Sequence, residues 1–265
     1  MIDLLLAASL SMTLPSAPSQ VADPKPAMFV VHDNDTTIYI FGTFHALDGQ
    51  SDWLSGNLRT AFEGSQELVL ETMLPEGQPA RPAPAPPTLT AGYSVAPSAS
   101  FLATTRLAIS AGRSHGMSVA NGADMVLRHV AEAEGKSVEG LETLDLQVRM
   151  FRQMPIEAPA KAIAAGPSAG SAAAEASATM SDMESAWERG DQSVFVRLVD
   201  QLRRTSPDTY RMMFSERNAR WADWIAARLR SPGTVFVAVG AGHLVGKDSV
   251  LVRLAERGIE STRLN

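Results

Sequence analysis

The hydrophobic positions fall into two alternating periods. Residues 28–32 and 37–41 are short β-branched and aromatic runs separated by Asp33-Asn34-Asp35. That pattern predicts a hairpin. Leu54, Leu58, Ala61 and Phe62 then share one helical face, predicting a helix over 53–64 with Ser51 or Asp52 as its cap. The buried-strand pattern returns at 67–72, and strand, helix, strand in this order predicts a parallel crossover. Ala123, Val126, Leu127, Val130 and Ala131 mark another helix, ended by Gly135. A strand over 137–142 leads to Thr143, which is placed to cap a helix carrying Leu146, Met150 and Phe151. Asp191 caps a helix with Phe195, Leu198, Val199 and Leu202. The longest helical stripe, over 207–229, carries Tyr210, Met213, Phe214, Trp221, Trp224 and Ile225. A strand over 234–239, a helix through Val250, Leu251 and Leu254, and an edge strand over 259–264 complete the pattern. A helix is also expected near 100–112, and a short strand or loop at 117–120.

This alternation predicts an α/β fold, a central largely parallel but mixed sheet flanked by helices, in a single domain over 27–265. Two segments interrupt it. Residues 74–98 carry Pro75, Pro79, Pro82, Pro84, Pro86, Pro87 and Pro97, too dense for a helix or a central strand, so a surface excursion is expected. Residues 158–179 are rich in Ala, Gly and Ser, and read as a weak helix with a loose linker.

Charge narrows the function classes. The formal net charge is −6 with no long basic run, which argues against a nucleic-acid partner. The chain has no Cys, which excludes disulfides, thiolate metal sites and a Cys nucleophile. Residues 1–22 hold an apolar run, Leu4–Leu14, followed by a stretch of small residues. This resembles the core and cleavage region of a secretory signal, although no Lys or Arg precedes Lys25. The expectation is a periplasmic or secreted protein, with the cytoplasm as the alternative, and no integral membrane segment.

Two strands end in the same way. Gly42-Thr-Phe-His45 and Gly240-Ala-Gly-His243 each deliver a histidine just past a predicted strand. Glu71 and Glu142 stand at the carboxyl ends of two further strands. Ligands of open α/β sheets bind at that edge, so these four side chains are expected to converge. Two imidazoles and two carboxylates suit a divalent ion such as Mn, Co, Zn or Fe. Arg217 lies on or beside the apolar stripe of the long helix, with Asn218 next to it, and a buried Arg needs an anionic partner. Glu71, Glu142 or a substrate carboxylate or oxyanion would serve. No phosphate loop, dinucleotide fingerprint, Gly-x-Ser-x-Gly elbow or His-Glu-x-x-His helix occurs.

Five segments taken together, 38–45, 68–71, 140–143, 216–218 and 239–244, resemble the TraB/GumN family, a group that also includes the Tiki metalloproteases. The resemblance implies an α/β fold like that of erythromycin-esterase-like and ChaN-like proteins. It matches His45 and His243 to the paired signature histidines, Glu71 to the acidic residue of the second strand, and Arg217 to the arginine of the long helix. The expected function is metal-dependent hydrolysis, chiefly of peptides. The ion would be held by His45, His243 and Glu71, Glu71 or Glu142 would act as base, and Arg217 would orient a carboxylate or stabilise negative charge. A peptide or small-molecule substrate is the expected partner. The alternatives are metal-independent ester hydrolysis by the histidines and non-catalytic haem or iron binding.

Overall fold

The computed structural model describes residues 24–73, 113, 116–153 and 169–265. The signal-like segment 1–22, the Pro-rich segment 74–98 and the helix expected near 100–112 lie outside them, as do residues 158–168 of the Ala/Gly-rich segment.

Six strands form one mixed sheet: β1 (Met28–His32), β2 (Thr36–Thr43), β3 (Glu67–Thr72), β4 (Ser137–Glu142), β5 (Gly233–Gly240) and β6 (Thr262–Arg263), in the order β4-β3-β5-β2-β1-β6. The four central strands β4, β3, β5 and β2 are mutually parallel. The hairpin partner β1 and the edge strand β6 run antiparallel. The crossover from β2 to β3 is parallel as expected, but β5, the last long strand in the chain, inserts between them. The sheet is therefore closed by a strand from the far end of the sequence.

The helices are α1 (Gly56–Glu63), α2 (Ala123–Ala133), α3 (Leu144–Gln153), α4 (Ala169–Glu188), α5 (Ser193–Thr205), α6 (Pro207–Tyr210), α7 (Glu216–Arg228) and α8 (Val250–Ala255). A π-helical turn, Arg211–Ser215, joins α6 to α7 without a break. Two apolar layers cover the sheet. One packs Phe41, Leu68, Leu70 and Phe236 against Phe62, Leu127, Trp187 and Phe195. The other packs Ile38, Ile40, Val69 and Val237 against Trp221, Ile225, Val250 and Leu254. Strand residues alternate between the two layers, the two-residue period of a sheet covered on both faces.

Three expectations need correction. The first helix begins at Gly56, not at 53, because Trp53 is drawn into the core, where it stacks on Phe41 at 5.8 Å and meets Trp187 edge-on at 5.5 Å. The expected strand at 117–120 is one bridge, Leu47 to Ser118, followed by a 3-10 turn over Val119–Asn121. The last strand pairs over only Thr262–Arg263. Among the described residues no helix is long and apolar enough to cross a membrane.

Candidate active site

The parallel strands present their carboxyl ends at one edge, and the predicted residues meet there. Glu71 is next to last in β3 and Glu142 is last in β4. Gly240 ends β5, and His243 sits in the 3-10 turn Ala241–Leu244 that follows. His45 comes two residues after β2. The β2–β5 ladder runs to Thr43 and Gly240, whereas β3 pairs with β5 only as far as Leu70 and Ala238. Past that point the Gly240 N–H donates to Glu71 Oε1 at 2.6 Å, so a side chain takes over from the backbone ladder.

Arg217 binds the two carboxylates together. Its Nε donates to Glu142 Oε2 at 2.9 Å and its Nη2 to Glu71 Oε2 at 2.8 Å. Its Nη1 lies 3.3 Å from His243 Nε2, with a longer contact to the Met213 carbonyl at 3.4 Å. The guanidinium stacks over Trp221 with its carbon 4.5 Å from the ring centre. Arg217 is 3% exposed, and a cation so buried persists only when paired. Arg220, one turn along α7, donates to the other oxygen of Glu142 at 2.9 Å.

The two histidines differ in environment. His243 is buried between Phe214 and Trp221, with ring centres 4.8 and 4.5 Å away. Its Nδ1 stands 2.6 Å from Asn218 Oδ1. Asn218 Nδ2 donates to the Asp248 carbonyl, so Oδ1 is the acceptor, His243 carries its proton on Nδ1, and Nε2 offers a lone pair toward Arg217. The Asp248 carboxylate is itself held by Tyr210 and Arg253. Burial lowers the His243 pKa to about 3, with the Glu71 charge opposing and the Arg217 charge assisting, so the ring is neutral.

His45 sits at the open side, its side chain 58% exposed and its Nδ1 2.9 Å from Asp124 Oδ1. Desolvation works against its charged form. The charge and hydrogen bond of Asp124, with help from Glu71, outweigh that and raise its pKa to about 9. For Glu71, burial opposes ionisation, but the Arg217 charge overrides it, helped by His45 and the Gly240 N–H, and its pKa falls far below the carboxylate range. Neutral His243 adds no charge to that balance.

The segment carrying His45 is anchored from α4. Trp187 Nε1 donates to the Gly42 carbonyl at 2.7 Å, and the Asp48 N–H donates to Glu184 Oε1 at 2.7 Å. Burial raises the Glu184 pKa to about 7, against the Asp48 N–H bond and together with the neighbouring Asp48 and Glu188 charges.

The five side chains singled out in the sequence, His45, Glu71, Glu142, Arg217 and His243, thus stand in one neighbourhood. Arg217 is the hub rather than a free substrate ligand. Asp124 and Arg220 were not anticipated. In sequence they read as a first-turn helix acid and an exposed helix cation, and only the fold brings them to the strand ends. Among the described residues no group of three or more His, Asp or Glu side chains is arranged to hold a metal ion.

The TraB/PrgY/gumN family model matches residues 27–87 and 88–263 of this chain. The chain belongs to the TraB/PrgY/gumN family. The match reaches from the start of the sheet through its last strand, so the edge bearing both histidines lies within the family region. No curated protein and no solved structure matches the chain.

Proposed function

We propose that this TraB/PrgY/gumN family chain is a hydrolase, most simply a peptidase, acting at the strand-end cluster of His45, Glu71, Arg217 and His243. The observation that supports it is the pairing of His45 with Asp124 beside ionised Glu71. Nε2 of His45 has no hydrogen-bond partner among the described residues and is oriented by Asp124 through Nδ1. The paired Gly-x-x-His ends, shared in pattern with the Tiki metalloproteases, support a peptide substrate. The signal-like segment 1–22 supports action outside the cytoplasm.

The donors fit a divalent ion in kind. Each imidazole is fixed through Nδ1, by Asp124 or by Asn218, which leaves Nε2 as the donor, and Glu71 adds a carboxylate. His45, His243 and Glu71 would hold the ion, and it would supply Lewis acidity and an activated water. The present arrangement is not itself a coordination shell. Arg217 occupies Glu71 Oε2 and faces His243 Nε2, so loading requires Arg217 to give up those contacts.

The chain's own groups divide the remaining work. Without an ion, charged His45 holds a proton on Nε2 beside Glu71, placed to pass it to a leaving group, whereas a bound ion would take that nitrogen's lone pair instead. Arg217 keeps Glu71 ionised, so Glu71 orients and attracts positive charge more readily than it takes up a proton. His243, neutral and walled by two aromatic rings, excludes water from the Arg217 side.

A second reading, metal-independent ester hydrolysis, is favoured by the contact of Arg217 with His243 Nε2, which already places a cation in the cluster. One experiment separates these readings: metal content and cleavage of peptides and esters, in the wild type and in the doubly substituted His45→Ala, His243→Ala protein. Loss of activity on substitution and on chelation is the expected result. Activity that survives chelation but not substitution favours the second reading, and full activity in the double variant overturns both.

A further inference from the structure

The site residues form a ladder of alternating charge along the sheet edge. Arg220 contacts Glu142, Glu142 contacts Arg217, and Arg217 contacts Glu71, at 2.9, 2.9 and 2.8 Å. The next rung is His45, whose Nε2 shares with Glu71 Oε1 the space over Gly240, each 3.1 Å from where a Cβ on that glycine would lie. Asp124 closes the far end. The interior of the ladder is buried, with Arg217 and Glu142 side chains 4% and 2% exposed, and the ends are open, with Arg220 at 47% and His45 at 58%.

The two arginines are engaged differently. Arg217 spends its fork on Glu142, Glu71, the Met213 carbonyl and the His243 contact, so it has little left for a substrate. Arg220 makes one contact, Nη2 to Glu142 Oε1, and its Nε and Nη1 have no hydrogen-bond partner among the described residues. A guanidinium tethered by one corner on a buried carboxylate is pre-oriented. Glu142 takes one Nη2 hydrogen, and the other Nη2 hydrogen forms, with Nη1 or with Nε, the two parallel N–H groups that match the oxygens of a carboxylate.

We propose that Arg220 is the substrate-anchoring cation of this site, binding a carboxylate of a peptide, either its C-terminus or an Asp or Glu side chain. The carboxylate-orienting role that the sequence assigns to Arg217 falls instead to its neighbour one turn along α7. Arg220 stands three charge contacts from Glu71. The cleavage part of this inference rests on the hydrolase reading, whereas the binding part does not.

The test uses the full chain and an array of synthetic peptides in matched pairs, Asp or Glu against Asn or Gln, and free against amidated C-termini. Binding to the array and cleavage in solution are read separately. The wild type is expected to bind acidic members about tenfold better than their amides, as for a hydrogen bond to a charged group. Arg220→Gln abolishes that discrimination, and Arg220→Lys restores part of it by keeping the charge without the fork. Thermal melting of both variants confirms that Glu142 tolerates the change. Equal binding of acidic and amidated members, or no binding, in the wild type overturns the anchor, as does unchanged discrimination in Arg220→Gln. Acid-selective binding without cleavage overturns the hydrolase reading and leaves the anchor standing.

Discussion

The Gly240 N–H donates to Glu71 Oε1 at 2.6 Å, at the point where β3 no longer pairs with β5. A glycine is required there for space. A Cβ would lie 3.1 Å from both Glu71 Oε1 and His45 Nε2, tighter than ordinary contact. Gly240→Ala therefore displaces Glu71 Oε1 and His45 Nε2 by a few tenths of an ångström while the sheet behind them stays paired. The expected cost in stability is about 1–3 kcal/mol by denaturant titration, with a disproportionate loss of any hydrolytic activity. A variant as active as the wild type would show that the His45–Glu71 approach is dispensable.

Asp124 sets the proton affinity of His45. Asp124→Asn removes the carboxylate charge, so the His45 titration, followed by the ring proton shifts in NMR, moves down from about 9 toward 6.5. The sign for stability follows. A histidine raised in the folded state stabilises fully below its unfolded value, and that contribution fades as pH rises through the folded value. The wild type thus loses a small stabilisation between about pH 6.5 and 9 that Asp124→Asn never had. A His45 titration unmoved by the substitution would contradict this account.

Arg217 neutralises two carboxylates that are buried or nearly so. Arg217→Met leaves Glu71 without its arginine and Glu142 with Arg220 alone, an expected loss of about 3–5 kcal/mol in urea unfolding at neutral pH. Arg217→Lys rescues little, because one ammonium cannot span Glu71, Glu142 and the Met213 carbonyl. Glu71 is a depressed carboxylate, so its stabilising contribution is present above its unfolded value and is lost as pH falls toward the folded one. The gap between wild type and Arg217→Met accordingly narrows below about pH 4. A gap that widened in acid would place the stabilisation elsewhere.

Glu184 pulls in the opposite direction. Its pKa is raised to about 7, so between 4.5 and 7 the folded protein holds a proton that the unfolded chain has released, and stability falls as pH rises through that window. Glu184→Gln keeps an acceptor for the Asp48 N–H and removes the titration. Its melting temperature is expected to change less between pH 5 and pH 8 than that of the wild type. Each kcal/mol corresponds to roughly 2–4 °C in a chain of this size.

The strand ends were legible in the sequence because both histidines follow a β-branched run and a glycine, a pattern local enough to read directly. Glu71 and Glu142 were legible by position in their strands, and Arg217 because a charge on an apolar stripe is costly. Asp124 and Arg220 were not, since each occupies an ordinary helix position and gains its partner only when β4 and the His45 segment arrive from elsewhere in the chain. The start of α1 was misplaced for a similar reason, because the burial of Trp53 depends on Trp187, which lies far along the chain. Trp187 and Glu184 themselves sit at the end of a helix whose first half is an Ala-rich stretch with little amphipathic signal.

The π turn at Arg211–Ser215 has a consequence for chain length. Each residue of an α-helix advances the side chains by about 100°, so a turn that holds one extra residue shifts the angular phase of everything before it relative to everything after. Tyr210, before the turn, and Asn218, after it, both grip Asp248, one at its carboxylate and the other at its carbonyl. Removing a single residue from 211–215 would restore regular winding and part these two grips, leaving His243 without the amide that fixes its proton. That short segment is therefore a place where an indel, more than a substitution, decides whether the cluster assembles.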